Sequence, residues 1–151
     1  MDKRLKAILG GDVFLNTCPV RSQTMSAIKG KNNKTTELVL RMAFVRSGLS
    51  GWKLHRNTLP GHPDFVFNRE HLAVFVDGCF WHYCVRCGHI PKTRSEYWEE
   101  KLKTTKARDR RNTQTLRALG YQVVRIWEHQ LKSPRDIDRA IKRIRAALDF
   151  S

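Results

Sequence analysis

Apolar residues recur along the chain with two different periods, and the order of those periods predicts a mixed α/β fold. After Thr35 and Thr36, either of which can cap a helix, they repeat at the three- and four-residue intervals of one helix face, at Leu38, Met42, Val45 and Leu49. Short runs rich in β-branched and aromatic residues then predict three strands, at residues 52–54, 64–67 and 72–76. The turn at residues 68–70 would join the last two strands as a hairpin.

The second half of the chain alternates helix and strand in the same way. Residues 95–119 form a long, mostly polar helical stretch whose apolar members are Trp98, Leu102, Leu116 and Leu119. Gly120 ends it, residues 121–127 are typical of a strand, and a closing amphipathic helix is marked by Ile137, Ala140, Ile141, Ile144 and Leu148. The predicted order is α-β-β-β-α-β-α, a mixed β-sheet flanked by helices.

The length and charge of the chain limit its domain organisation and the class of molecule that it can bind. Residues 1–20 show no sustained period, so we expect a flexible leader followed by a single domain over residues 21–151. The chain has 29 Lys and Arg against 14 Asp and Glu, a formal net charge of +15, which favours nucleic acid first and an anionic membrane surface second. Its longest apolar runs are strand-sized, and the N-terminus lacks a signal-peptide apolar region. We therefore expect a cytoplasmic, nucleoid-associated protein with no membrane partner.

Three thiols lie close together in the middle of the chain. Cys79, Cys84 and Cys87 follow the spacing C-x4-C-x2-C, and the last two have the knuckle spacing of a tetrahedral zinc site. Either His89 or the distant His129 can complete four ligands, and His129 is preferred because it would tie the last strand to this loop. The sequence therefore predicts a structural Zn²⁺ site, with three reduced core cysteines as the alternative.

Two carboxylates stand at the ends of predicted strands. Asp64 follows Pro63 at the start of an apolar run, and Asp77 ends the next run, so both can converge on one Mg²⁺. This arrangement is similar to the restriction-endonuclease-like signature PD-(D/E)xK, whose lysine would fall at Cys79. His82 can replace that lysine as general base, since its ordinary pKa of about 6.5 lets it accept a proton near neutral pH. The pattern indicates a metal-assisted phosphodiester hydrolase; a buried, merely hydrogen-bonded histidine is the alternative.

Bulky aromatic residues accompany these groups. Phe80 and Trp81 lie between a zinc-ligand candidate and the candidate base. Aromatic rings can wedge between base pairs at a cost of about a few kcal/mol per step, which is lower at a mismatch. Core packing is the alternative, and it applies to Trp98 as well. Two basic stretches, residues 21–34 and the helical residues from Lys101 to 111, can contact phosphate.

Four motifs resemble the very-short-patch repair (Vsr) DNA mismatch endonucleases. They are MSAI at residues 25–28, LPGHPDF at residues 59–65, VFVDGCFWH at residues 74–82 and YW at residues 97–98. The resemblance runs from about Arg21 to Leu131 in the same order and at compatible spacing. It implies a restriction-endonuclease-like fold and a monomeric enzyme that nicks double-stranded DNA 5′ of the T in T:G mismatches, which arise when 5-methylcytosine deaminates.

The resemblance also implies a role for each residue of the hydrolytic centre. Asp64 would hold Mg²⁺ near the carbonyl of Val76, and His82 would activate the attacking water. Glu37 and Asp109 match acidic positions that hold metal-bound waters or orient the histidine. A further set would enter or contact the duplex: Phe80, Trp81 and Trp98 as a wedge, Met25 and Ile28 from the opposite groove, and Lys101 on the basic helix.

Some assignments stay open within the resemblance. Zinc would be held by Cys79, Cys84, Cys87 and His129, with His89 as an alternative to Cys87 because the family varies its ligands and the loop length. Asp77 occupies a position where the residue type of the family is not fixed, so it would either join the metal site or orient a neighbour. Two other functions remain possible: a zinc-stabilised DNA-binding module without activity, and a dimeric restriction nuclease making double-strand breaks. Mismatch-repair proteins are potential partners.

Overall fold

A computed structural model describes residues 35–54 and 57–150. These residues fall in one compact unit that spans residues 33–151. The leader predicted for residues 1–20 and its boundary with the domain lie outside the described residues. Within the described part of the chain, no helix is long and apolar enough to cross a membrane.

The secondary structure follows the predicted α-β-β-β-α-β-α order, with one short helical turn added before the last helix. Helix α1 covers residues 35–46. The other elements are β1 (Trp52–Leu54), β2 (Phe65–Phe67), β3 (Leu72–Asp77), α2 (Ser95–Ala118), β4 (Gln122–Trp127), a 3₁₀ turn (Glu128–Leu131) and α3 (Pro134–Asp149). The prediction of a mixed β-sheet flanked by helices is confirmed, with strand and helix ends shifted by a single residue.

The four strands form one mixed sheet in the order β1-β2-β3-β4. β1 with β2, and β2 with β3, pair antiparallel, and the turn at residues 68–70 makes the predicted hairpin. β3 and β4 run parallel, from Leu72 opposite Gln122 to Asp77 opposite Trp127, with α2 as the connection between them. Because these two strands are parallel, their carboxyl ends lie at the same edge of the sheet.

The main hydrophobic core lies on one face of the sheet, between the strands and helices α1 and α3. Alternate residues of each strand enter it, because successive side chains of a strand point to opposite faces. Its largest fully buried members are Phe44 of α1, Phe65 and Phe67 of β2, and Ile144 of α3. A smaller cluster on the other face joins Ala73 and Phe75 of β3 to Leu116 of α2. The described unit is therefore three layers deep, with the sheet in the middle.

The face of α1 that enters the core is not the predicted one. Leu38, Met42 and Val45 are 52%, 45% and 68% exposed, whereas Leu40, Ala43 and Phe44 are buried. Of the predicted stripe, Leu49 alone packs against the core. The prediction that Leu119 is an apolar member of α2 is also wrong, since this residue follows the helix and is 56% exposed.

Helices α1 and α2 end in the same way. Gly48 has a φ of 73°, its amide donates to the carbonyl of Val45, and the next amide donates to the carbonyl of Phe44. This pair of bonds is a Schellman motif, which needs the left-handed conformation that glycine adopts without a Cβ clash. Gly120, with a φ of 87°, closes α2 with the same two bonds. In α3, the hydroxyl of Ser133 accepts from the amide of Asp136, and proline occupies the first turn.

Candidate active site and metal cluster

The candidate hydrolytic residues gather where β3 ends, on the face of the sheet that α2 covers. Asp77 is the last residue of β3 and shares a face with Phe75. Asp64 immediately precedes β2, and its Oδ2 accepts a hydrogen bond of 2.7 Å from the amide of Val76. The hairpin thus brings the predicted acid-bearing ends of β2 and β3 together.

His82 lies between two carboxylates. Its Nδ1 is 2.5 Å from Oδ2 of Asp109, a residue of α2, and its Nε2 is 3.9 Å from Oδ1 of Asp77. An ionised carboxylate can only accept, so a neutral His82 carries its proton on Nδ1 and has an unprotonated Nε2. The side chain is 21% exposed, which leaves the ring in contact with solvent. This is the arrangement that a general base requires.

The two groups of this pair shift each other's pKa. Burial acts to lower the pKa of His82, but the hydrogen bond that His82 donates to Asp109 and the charges of Asp77 and Asp109 outweigh it, so the pKa lies above 6.5. Burial acts to raise the pKa of Asp109, but the hydrogen bond and charge of His82, together with Arg125, bring it below 3.8. Both shifts favour the charged pair in the protein without a bound cation.

Arg125 is a part of this site that the sequence patterns do not reveal. It lies in β4 opposite Phe75, and its Nη1 is 2.7 Å from Oδ2 of Asp77, whose side chain is 3% exposed. The Asp77 carboxylate is thereby paired with a guanidinium. The signal in the sequence is a single charge within the otherwise apolar or uncharged strand QVVRIW, but nothing there identifies its partner.

The four predicted zinc ligands form one cluster. The ligand atoms of Cys79, Cys84, Cys87 and His129 all lie within 4.8 Å of one another. Nδ1 of His129 is 3.3 Å from Sγ of Cys79 and 3.6 Å from Sγ of Cys84. A tetrahedral zinc ion, with bonds of roughly 2.3 Å to sulfur and 2.0 Å to nitrogen, sets its ligand atoms about 3.5 to 3.8 Å apart. The donor set and its spacing fit such an ion.

His89 is not part of this cluster in the structure. Its ring lies 5.5 Å from that of Phe80. The three cysteines are free thiols, and burial raises the pKa of Cys79 to about 11, opposed in part by a hydrogen bond with the backbone of His129. A bound metal requires the thiolate forms, so metal binding here is coupled to proton release.

Backbone hydrogen bonds between residues close in sequence shape the loop that carries both the metal cluster and His82. The amide of His82 donates to the carbonyl of Gly78, and that of Cys84 donates to the carbonyl of Cys79. Gly88 closes the knuckle with a 2.6 Å bond to the carbonyl of Cys84, and a Cβ at Gly88 would stand 2.5 Å from that oxygen. Oε2 of Glu128 accepts from the amide of Cys79 at 3.3 Å. The loop is therefore attached to the end of β4 through Glu128 and His129.

The predicted wedge residues form one partly buried aromatic cluster beside the loop. The ring of Phe80 lies 5.0 Å from that of Trp81 and 5.4 Å from that of Trp98. Nζ of Lys101 lies 5.3 Å from the Trp98 ring centre and 5.5 Å from that of Trp81. Tyr97 completes the cluster, and its hydroxyl accepts from Lys101 at 3.5 Å. A cation held over a cluster of edge-to-face aromatic rings suits contact with nucleic acid.

The remaining predicted residues come from earlier parts of the chain. Glu37 is in α1 and is partly buried. Met25 and Ile28, the residues predicted to approach the duplex from the opposite groove, lie outside the described residues.

Comparison with known proteins points to one family. Residues 12–87 match the family described as DNA mismatch endonuclease Vsr. The type II nicking enzyme V.XorIIP of Xanthomonas oryzae pv. oryzae is 36% identical over 132 residues, which cover 87% of this chain and 93% of the relative. DNA mismatch endonuclease Vsr of Escherichia coli is 36% identical over 115 residues, covering 74% and 71%. V.NaeI of Lentzea aerocolonigenes, another type II nicking enzyme, is 40% identical over 114 residues, covering 73% and 68%.

A strand-end carboxylate beside a His–Asp pair, on a mixed sheet with relatives of this kind, defines a DNA endonuclease. More particularly, the chain belongs to the DNA mismatch endonuclease Vsr family.

Proposed function

We propose that this protein is a Mg²⁺-dependent, strand-specific DNA mismatch endonuclease. It nicks the strand that carries T, 5′ of T:G mismatches left by deamination of 5-methylcytosine, and so acts in very short patch repair. The observation that carries the proposal is the 2.5 Å contact between His82 and Asp109 at the end of β3, beside Asp64. The mixed sheet and its helices are consistent with a restriction-endonuclease-like core.

The donors at the strand ends suit a hard divalent cation. Asp64 supplies a carboxylate oriented by the amide of Val76. In a strand, the N–H and C=O of one residue point to the same side, so the carbonyl of Val76 also faces Asp64. Carboxylate and carbonyl oxygens are ligands that Mg²⁺ prefers, and the cation would supply Lewis-acid stabilisation of the scissile phosphate. Asp77 fits this role poorly because its Oδ2 is paired with Arg125, and we assign it to orienting a neighbour.

His82 acts as the general base in this proposal. Its unprotonated Nε2 accepts a proton from the attacking water, while Nδ1–H remains bound to Asp109. The Asp109 carboxylate fixes the ring orientation and stabilises the imidazolium that forms. A divalent cation near Asp64 would also counter the raised pKa of His82, because a nearby positive charge disfavours the protonated ring. Glu37 is assigned to holding metal-bound waters or orienting the histidine.

In this proposal, the aromatic cluster recognises the mismatch. Phe80, Trp81 and Trp98 would enter the duplex as a wedge, with Lys101 neutralising phosphate or contacting a base edge near them. Met25 and Ile28 are assigned to the opposite groove. Neither base of a T:G pair is chemically abnormal, so recognition must use pair geometry and the ease of unstacking, and the cost of unstacking is lowest at a mismatch.

Zn²⁺ has a structural role in this proposal. Cys79, Cys84, Cys87 and His129 fill all four positions of a tetrahedron, which leaves none for a reacting water. The ion would connect the loop of His82 to the end of β4, because His129 lies in the 3₁₀ turn that follows that strand.

A nicking assay on matched substrates tests the function. Purified protein would be incubated in Mg²⁺ with duplexes that differ only in one T:G or C:G pair, each strand carrying its own label. We expect cleavage of the T strand alone, 5′ of the mismatched T, and no cleavage after chelation of Mg²⁺. Equal cleavage of both duplexes would overturn mismatch specificity. Binding without cleavage would support a zinc-stabilised DNA-binding module, and breaks in both strands of a matched duplex would support a restriction nuclease.

A further inference from the structure

Arg125 is a charged residue in the middle of a strand whose neighbours Val124 and Ile126 are buried in the main core. Its side chain points to the opposite face, where the guanidinium lies 4.4 Å above the ring centre of Phe75, the residue directly across β3. The side chain is 20% exposed. Holding a guanidinium here is costly unless its donors are used, because a partly buried charge needs paired partners.

The donors of Arg125 reach two different elements. Nη1 donates to Oδ2 of Asp77 on β3 at 2.7 Å. On the other side, Nη2 is 3.4 Å from the backbone carbonyl of Asp109 and 3.4 Å from Oγ1 of Thr113, both on α2. The planar fork of arginine allows these bonds from one side chain, whereas the single ammonium of lysine does not offer that geometry. Arg125 therefore connects the end of β3 to the middle of α2.

The two elements that Arg125 joins carry the two carboxylates on either side of His82. Asp109 contacts Nδ1 at 2.5 Å, and Asp77 stands 3.9 Å from Nε2. We propose that Arg125 is a positioning residue for DNA hydrolysis, which holds Asp77 away from Nε2 of His82 and fixes Asp109 at Nδ1. This inference rests on the proposed role of His82 as general base.

The physical reason lies in competition for the ring of His82. A carboxylate that is free to approach Nε2 would accept a hydrogen bond from a proton on that nitrogen. A side chain at position 77 in contact with Nε2 would occupy the side of the ring that the attacking water needs. Arg125 engages Asp77 through the oxygen other than the one nearer to His82. The unprotonated Nε2 therefore stays available to the attacking water.

Replacing both Asp77 and Arg125 by neutral residues separates the effect on positioning from the effect on stability. Removing Arg125 alone would leave Asp77 buried without its partner, which destabilises a fold, whereas removing both charges of a buried pair is often tolerated. The test variant is therefore the double substitution Asp77→Asn with Arg125→Gln. The variant Arg125→Lys keeps the positive charge but lacks the planar guanidinium and its several donors. Arg145→Gln is the matched control, because Arg145 is an exposed arginine of α3 that donates to the carbonyl of Ser47, away from the site.

The measurements are the single-turnover nicking rate on a T:G duplex in Mg²⁺, the Kd of that duplex, the zinc content and the melting temperature. For the double variant we expect a Kd within about twofold of the wild type and full zinc content, with a nicking rate at least about tenfold lower. The rate falls because the amide at position 77, which Arg125 no longer holds, can donate to Nε2 of His82, and because Asp109 loses its bond to Arg125. Arg125→Lys should recover part of the rate, and Arg145→Gln should match the wild type. A folded double variant with the wild-type rate would overturn the inference.

Two further outcomes are decisive. If the double variant does not fold, Arg125→Lys decides: a lower rate at unchanged Kd supports the positioning role, and the wild-type rate overturns it. If wild-type protein nicks no T:G duplex, or His82→Ala nicks as fast as wild type, the proposed function falls and the role of Arg125 falls with it. Wild-type nicking that is lost in His82→Ala, together with an unaffected double variant, removes the Arg125 inference alone.

Discussion

The two faces of the four-stranded sheet are built from different kinds of residue. The face covered by α1 and α3 holds a continuous apolar cluster to which every strand except the partly buried β1 contributes fully buried side chains. The face covered by α2 has a smaller apolar cluster of Ala73, Phe75 and Leu116, and on the same face lie Asp77, Arg125, His82 and Asp109. The first face supplies hydrophobic stabilisation, and the second accommodates charges at a cost that the first must offset.

This difference shows how a small domain separates stability from chemistry. Within residues 35–54 and 57–150, every buried side-chain nitrogen and oxygen has a hydrogen-bond partner. The charged groups on the α2 face are therefore satisfied by one another, which fixes their geometry without requiring a large apolar cluster around them. Substitutions on the two faces should have separable consequences.

The largest expected effect is on the α2 face. His82→Ala removes the proposed base, so the single-turnover nicking rate should fall by about 10²- to 10⁴-fold. The melting temperature should fall by only about a few degrees, because the ring is partly exposed and the main loss is its pairing with Asp109. Quenched-flow cleavage and a thermal melt check both parts. A variant that nicks at the wild-type rate would remove His82 from the reaction.

The opposite face should give the reverse result. Phe44→Ala leaves a cavity among Trp52, Phe65 and Phe67, whose rings lie within 5.8 Å of that of Phe44. We expect a loss of about 3–5 kcal/mol in the free energy of unfolding, measured by urea denaturation. The nicking rate per folded molecule should change little at low temperature. A large fall in that rate would show that the two faces are coupled.

The effect expected at the zinc cluster is intermediate in size between those at the two faces. Cys84→Ala removes one of four ligands, and we expect zinc content to fall from one ion per chain to a small fraction of that. If free zinc stands at about a thousand times its Kd, the lost stabilisation is about 4 kcal/mol. Zinc analysis and denaturation measure these quantities. Val85→Ala is the matched control, since Val85 is 93% exposed on the same loop and should keep both at wild-type values.

The pairing of His82 with Asp109 should make the free energy of unfolding depend on pH, and the sign of that dependence follows from the two pKa shifts. The pKa of His82 is raised above 6.5, so its contribution to stability is complete below that pH and is lost as pH rises through the folded pKa. The pKa of Asp109 is lowered below 3.8, so its contribution is present above that pH and is lost as pH falls through the folded pKa. The difference in unfolding free energy between wild type and Asp109→Asn should thus be larger at about pH 5.5 than at about pH 8.5.

The nicking rate should move in the opposite direction over the same range. A general base must be deprotonated, so the rate should rise with pH through the folded pKa of His82. In Asp109→Asn the rise should be centred at lower pH, because the interactions that raise the pKa are removed. An unchanged midpoint in that variant would contradict the pairing of the two residues.

The smallest effect is expected on the outer side of α1. Met42→Ser replaces a residue that is 45% exposed, and the free energy of unfolding should change by no more than about 0.5 kcal/mol. Compared with Phe44→Ala two residues further along the same helix, this measures the contrast between the two sides of α1. A loss as large as that at Phe44 would show that the outer stripe is buried in solution.

The fold is largely predictable because its strands are short runs of β-branched and aromatic residues separated by clear turn residues. The face of α1 is not, for a specific reason. The helix carries two apolar sets, one with Leu40 and Phe44 and the other with Leu38 and Met42, and both have the four-residue spacing of a helix face. Periodicity cannot choose between two such sets; packing against β2 does.

The site is predictable where its residues are close in the chain. The spacing of Cys79, Cys84 and Cys87 is by itself enough to indicate a metal cluster, and His129 is the preferred fourth ligand because it connects distant elements. The pairing of Arg125 with Asp77 joins residues 48 positions apart, and no local pattern reveals it. Asp109 lies in a strongly basic helix, where composition suggests phosphate contact, and the family resemblance alone points to its role.

Trp81 and His82 are consecutive residues of a short loop, and the two ends of that loop, Cys79 and Cys84, belong to the same candidate metal cluster. In the proposed reaction, one of these neighbours opens the base pair and the other directs the water. Their α-carbons are about 3.8 Å apart, as in any trans peptide. If the proposed reaction is right, the distance between the opened base pair and the cut phosphate would be fixed by two neighbouring residues of one loop, which would leave little freedom to cut elsewhere along the strand.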